Sequence, residues 1–135
     1  MLLIRTRVGP SSIHGLGLFS TTPIPRGTPI WRLEPGFDQR LAPEQVDALP
    51  GPACDHVHWF AWWDCDRRVW VLSGDHACFM NHADVPNTGV AGGAPDGVTV
   101  ALRDLAAGEE LTCDYWAFDG KAGEKLGTAT PRHRS

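Results

Sequence analysis

Proline and glycine interrupt this sequence before any regular element can grow long. Eleven prolines and fifteen glycines stand among 135 residues. Proline removes a backbone donor and fixes φ, and glycine resists ordering inside helices and strands. Such a chain is expected to build short strands joined by many turns, not a helical bundle. Its length suits one domain with a core of its own.

The stretch Cys78-Phe79-Met80-Asn81-His82-Ala83-Asp84-Val85-Pro86-Asn87 suits neither a helix interior nor a central strand. Asn81 competes with the backbone for hydrogen bonds, and Pro86 withholds a donor. Phe79, Met80 and Val85 offer apolar anchors. The stretch therefore reads as a pinned loop, able to hold a ligand or simply to join two strands. Upstream, Gly15 and Gly17 alternate with apolar residues in Ile13-His14-Gly15-Leu16-Gly17-Leu18-Phe19. They permit a tight turn whose N–H groups a ligand can approach, or a plain glycine-rich β-turn. A dinucleotide fingerprint would need a third glycine and a helix, and here Pro23 and Pro25 follow.

Leu2–Arg7, Val69–Leu72 and Gly97–Leu102 read as strands, and Ile24–Trp31 as a turn and strand. Leu111–Trp116 is strand-like and carries the only tyrosine, Tyr115. Leu41–Leu49 is the best helix candidate, with Pro43 in its first turn and Pro50-Gly51-Pro52 as its stop. Trp59, Phe60, Trp62, Trp63 and Trp70 crowd the span that follows, as packing or as a channel lining. On a strand, Cys54, His56 and His58 would share a face near Cys65, a weak zinc candidate that matches no common module.

Twelve basic residues against sixteen acidic give a net charge of -4. No basic stripe stands out, which argues against direct nucleic-acid binding. No stretch reaches a membrane span. Met1–Arg5 meets a charge at once and lacks the apolar run of a signal peptide, and no two cysteines form a C-x-x-C unit. The expectation is an intracellular protein with reduced thiols. The polar tail 120–135, ending in Arg132, His133 and Arg134, is expected to be flexible unless something docks it.

Three separated motifs fall in order along the chain. They are Ile13-His14-Gly15-Leu16-Gly17-Leu18-Phe19, Phe79-Met80-Asn81-His82 with Pro86-Asn87, and Gly108-Glu109-Glu110-Leu111-Thr112 with Asp114-Tyr115. Together they resemble the SET-domain family of protein lysine methyltransferases over about residues 8–118. The resemblance implies a mainly β fold, the SET-type β-clip of small curved sheets with a C-terminal pseudoknot and one or two short helices. It implies a SET domain over 1–119, with an insert at about 34–76 that shapes the substrate side.

The implied function is methyl transfer from S-adenosyl-L-methionine to the ε-amine of lysine in a protein or peptide, a histone-lysine methyltransferase-like activity that needs no metal. By resemblance, the backbone around Gly15, Leu16 and Gly17 holds the amino-acid end of the cofactor. Asn81 and His82 bind it too, the His82 backbone reading the adenine; where many members close the site with a cysteine-rich segment, this chain is expected to cover the adenine with Trp116 and Phe118 instead. Tyr115 is the catalytic residue, beside the sulfonium. Trp59, Trp62 and Trp63 are candidates for the lysine channel. Cys113 stands where the family sets the number of methyls added. Cys78, Ala83, Asp84 and Trp116 depart from the family's usual residues, and no cysteine-rich segment follows Cys113. A catalytically silent module of the same fold, binding a peptide or the cofactor, is the alternative. Specificity is expected from the insert, the tail or a homodimer partner. The setting is expected to be cytoplasmic, or chromatin- or nucleoid-associated through the substrate.

Overall fold

A computed structural model describes residues 1–92 and 97–127. Residues 128–135, with the basic Arg132, His133 and Arg134, lie outside the described residues. Within them the strands are β1 (Thr6–Pro10), β2 (Leu16–Ser20), β3 (Pro29–Arg32), β4 (Gln39–Leu41), β5 (Trp62–Asp64), β6 (Val69–Leu72), β7 (Asn81–His82), β8 (Thr88–Gly89), β9 (Val98–Ala101) and β10 (Glu110–Cys113). The α-helices are α1 (Pro43–Asp47), α2 (Gly51–Phe60) and α3 (Ala122–Leu126). The strands form three small sheets in the orders β1-β2-β10-β7, β3-β9-β8 and β4-β6-β5. Short strands, many turns and few short helices are the architecture expected of the SET-type fold.

The first sheet positions everything that follows. β1 and β2 form an antiparallel hairpin with Gly9 opposite Gly17. The hairpin turns through Gly15, whose φ of 47° is left-handed backbone that favours glycine. β10 then lies between β2, which it pairs antiparallel, and β7, which it pairs parallel with Thr112 opposite Asn81. Leu18 and Leu111 from these strands and Ile30 from β3 are fully buried, packed with Ile24, Met80, Ala101 and Leu105 in the main core. Gly17 is a packing glycine, because a Cβ there would come within 2.5 Å of the Glu110 carboxylate.

Residues 39–72 build a second small core from Val46, Val57, Ala61 and Trp70. Asp38 ties the ends of this insert together. Its two oxygens accept from the Gly74 N–H at 2.9 Å and the Glu34 N–H at 2.8 Å.

The structure redraws several elements. The helix read over Leu41–Leu49 is only α1, because Leu41 belongs to β4. Pro50-Gly51-Pro52 does not stop a helix; it starts α2. Proline fits a first helical turn because its missing N–H has no intrahelical partner there. Cys54 and His58 therefore sit one helical turn apart, Sγ to Nδ1 3.8 Å, while His56 packs on Phe60 with ring centroids 4.8 Å apart. Among the described residues no three His, Cys, Asp or Glu side chains group to hold a metal ion. The N-terminal strand starts at Thr6, with Leu2 reaching Trp31 by an isolated bridge. Val85 is 90% exposed and anchors nothing, whereas Phe79 and Met80 pack on the main core. Residues 122–126, read as part of a flexible tail, form α3, docked by the bond from Lys125 to Asp119. No helix among the described residues is long and apolar enough to cross a membrane.

Candidate functional site

Asn81 is the joint between the distant motifs. It opens β7 and is buried at 8% exposure. Around its Nδ2 stand the Ser11 hydroxyl at 3.1 Å, the His14 carbonyl at 3.0 Å, the Leu16 carbonyl at 3.2 Å and a Glu110 carboxylate oxygen at 3.0 Å. Carbonyls and a carboxylate can only accept, so this end of the amide is the NH2. Its two hydrogens are shared among these groups, which locks the glycine turn onto β10. Ser11 completes the knot by donating to Glu110 at 2.8 Å while its oxygen accepts from the Ile13 N–H at 2.9 Å.

His82 is held at both ring nitrogens. Nδ1 accepts from the Tyr115 N–H at 3.1 Å, so the proton sits on Nε2, which donates to Asp84 at 3.0 Å. Asp84, a departure from the family's usual residue, thus fixes the ring. Asn87 clasps β10 from the other side. Its Oδ1 accepts from the Thr112 N–H at 2.8 Å and its Nδ2 donates to the Glu110 carbonyl at 2.8 Å. The Thr88 hydroxyl donates to the Thr112 carbonyl at 2.8 Å.

Tyr115 follows β10 directly, in a short 3-10 turn begun by Asp114, which accepts from the Trp116 N–H at 3.1 Å. The Tyr115 hydroxyl donates to the Met80 carbonyl at 2.6 Å. Burial, reinforced by Cys113, Asp119 and Cys78, pushes this phenol well above its ordinary value. It stays protonated at neutral pH. Burial likewise pushes the Cys113 thiol up to about 12.

Two cavities meet at Tyr115. The first, of about 560 Å³, is lined by Gly15, Leu16, Asn81, His82, Tyr115 and Trp116 among others. The second, of about 440 Å³, has an apolar wall that includes Trp31, Trp62, Met80, Leu102, Cys113 and Phe118. Tyr115, Trp59, Phe60, Cys78 and Lys125 border both.

Six of the eight residues read as cofactor-binding therefore surround the first cavity. Gly17 and Phe118 do not: Gly17 packs inside the hairpin against Glu110, and Phe118 lines the second cavity against Trp62, ring centroids 5.3 Å apart. Of the channel candidates, Trp59, Trp62 and Cys113 line the second cavity. Trp63 instead packs on Trp70 in the insert core, at 5.4 Å between ring centroids. Sequence reading missed Ser11, Glu110, Asp84, Asp119 and Lys125. Glu110 stood in the third motif and Asp84 among the departures from the family's usual residues, but neither with a role.

No curated protein matches the sequence. Among solved structures, a Plasmodium falciparum protein assigned as a histone methyltransferase is 18% identical and superposes with a TM-score of 0.56, over 84% of this chain and 95% of that one. A humanized mutant of the Chaetomium thermophilum Polycomb Repressive Complex 2, bound to the inhibitor GSK126, is 18% identical with a TM-score of 0.60. That match covers 97% of this chain and 20% of the other, so the chain spans about a fifth of its length. At such identity the likeness is one of fold. The SET domain family model matches residues 15–116. That span takes in the glycine turn, the Asn81 loop and the Tyr115 segment together, and the chain belongs to the SET-domain family.

Proposed function

We propose that the protein transfers a methyl group from S-adenosyl-L-methionine to the ε-amine of a lysine in a protein substrate. The observation that carries this reading is the meeting of two cavities at one protonated tyrosine. Two reactants held in separate cavities can meet only where those cavities join, and holding them in line supplies much of the rate.

The first cavity fits the cofactor. Its volume lies within the roughly 300–1,000 Å³ of small-ligand sites. At Gly15 a side chain would point into open space, so bare backbone fronts the cavity there. Asn81 and His82 supply polar groups on that side, and Trp59, Phe60 and Trp116 supply flat faces for a base. Bound S-adenosyl-L-methionine supplies a methyl carried on a cationic sulfur.

The second cavity suits the lysine. Its apolar wall disfavours an ammonium and so favours the neutral amine that can attack. Tyr115 keeps its proton on Met80, which leaves the phenol oxygen able to accept from the amine N–H and orient its lone pair. Tyr115 acts as an orienting hydroxyl, not as a phenolate base. The net charge of -4, with Asp114 and Asp119 bordering the second cavity, supports a basic protein segment as substrate. Four free cysteines support an intracellular setting. The bond from Asp84 to His82 gives one departure from the family pattern a role, which favours the active reading over the silent module.

The test is incubation of the protein, and of Tyr115→Phe, with radiolabelled S-adenosyl-L-methionine and a panel of lysine-bearing peptides and lysates. Lysine labelling that the variant loses is expected. Absence of labelling by the wild-type protein, with cofactor bound in calorimetry, would mean a silent binding module instead.

A further inference from the structure

Helix α3 carries Lys125 to the place where the two cavities join, and Lys125 borders both. Its Nζ donates to Asp119 Oδ2 at 2.7 Å and to the Ala61 carbonyl. It lies 6.0 Å from the centroid of the Tyr115 ring, over its face. The ion pair is secluded, with side-chain exposures of 14% for Lys125 and 1% for Asp119. Asp119 also borders the second cavity. Its other oxygen, Oδ1, accepts from the Trp63 N–H at 3.0 Å and the Lys121 N–H at 2.9 Å.

These contacts describe a receptor for a primary ammonium. One carboxylate oxygen and one carbonyl meet its N–H donors, and an aromatic face adds a weaker attraction. Asp119 offers a single oxygen, because backbone N–H groups hold the other. A guanidinium, which pairs best with both oxygens of a carboxylate, gains less here than an ammonium does.

We propose that Asp119 and the Ala61 carbonyl form a lysine-selective ammonium subsite, filled in cis by Lys125 and taken over by the substrate lysine on its way to Tyr115. The inference rests on the lysine-transfer reading of the second cavity. An isolated carboxylate so deeply buried is costly, so the subsite strongly favours holding a cation. Exchange of Lys125 for a substrate ammonium replaces one buried ion pair with another and leaves no charge stranded. Until then the tethered Lys125 competes at a high effective concentration, which lowers the apparent affinity for substrate.

Two variants give opposite expectations. Lys125→Met removes the competitor and keeps the apolar stem, and KM for a lysine peptide should fall about tenfold. Asp119→Asn keeps an acceptor for Trp63 and Lys121 but removes the charge, and KM should rise. A purely structural pair would move KM in the same direction in both, and that result overturns the proposal.

Binding is read separately by titrating n-butylammonium chloride and following the Trp63 backbone amide by NMR. Saturable binding is expected in Lys125→Met, at least tenfold weaker binding in the wild-type chain, and none in Lys125→Met/Asp119→Asn. Lys125→Gln, whose amide can still reach the Ala61 carbonyl, serves if Lys125→Met does not fold. No saturable binding to a folded Lys125 variant overturns the subsite, whether or not the protein methylates lysine. Saturable binding with no methylation of any lysine upholds the subsite and refutes the transfer reading.

Discussion

Asn81 shows how a single amide can join segments distant in sequence. Its Nδ2 meets the glycine turn on one side and Glu110 on the other. Asn81→Asp would set a carboxylate 3.0 Å from that of Glu110 and remove the N–H donor that joins the two side chains. Urea unfolding should show a loss of about 3 kcal/mol, a larger loss than for Asn81→Ala, which removes the donor without adding a charge. Tyr115→Phe should fold normally and still bind cofactor, since the ring keeps its place beside His82. Its transfer rate should drop about 10²–10³-fold, as when one preorganised polar group is removed from a reacting centre. Asn81, His82 and Tyr115 were legible in the sequence because their residue types carry the chemistry and sit in quoted motifs. Ser11 and Glu110 were not, because each acquires its role from a partner 99 positions away. Asp84 stood in view as an oddity, and only the ring of His82 explains it.

At the scale of elements, the hairpin of β1 and β2 is the most exacting. Gly17 lies against Glu110 and Ser11, and Ser11 and Asn81 already fix the Glu110 side chain. The carboxylate cannot swing aside freely, so Gly17→Ala should lower stability by about 1–3 kcal/mol in thermal unfolding. The same variant should weaken cofactor binding, because the turn at Gly15 is carried by this hairpin. Some of the short strands were readable from their turn residues, and Val69–Leu72 appears in the structure with those bounds, whereas β4, β5, β7 and β8 were not read as strands. Helix α2 was not readable. Pro50-Gly51-Pro52 serves equally well as a stop or a start, and only the burial of Val57 and Ala61 against Val46 and Trp70 decides for a helix. The docking of α3 was hidden for a similar reason, because Lys125 and Asp119 look like ordinary surface residues until they are brought together.

For the molecule as a whole, the half-buried Cys113 and Tyr115 predict a sensitivity to alkali. Burial raises the Cys113 thiol from its ordinary 9.0 to about 12, and raises the Tyr115 phenol as well. The folded chain therefore holds these protons more tightly than the unfolded chain does. Stability from this source is complete below the ordinary thiol value of 9.0 and declines as pH rises toward the folded value of about 12. Denaturant midpoints measured across that window should fall, and Cys113→Ala should make the decline shallower. The placement of β10 has a further consequence, for the order in which the protein forms. This strand arrives late in the chain, yet it must enter between β2 and β7, whose residues were made long before. Contacts so distant in sequence close slowly. Both cavities need Tyr115, which follows that strand. A chain halted before Glu110 lacks the Tyr115 wall that both cavities share, however well its hairpins have formed. Cofactor binding should therefore report completion of folding, and by favouring the finished state over the unfolded one it should draw the last strand into place.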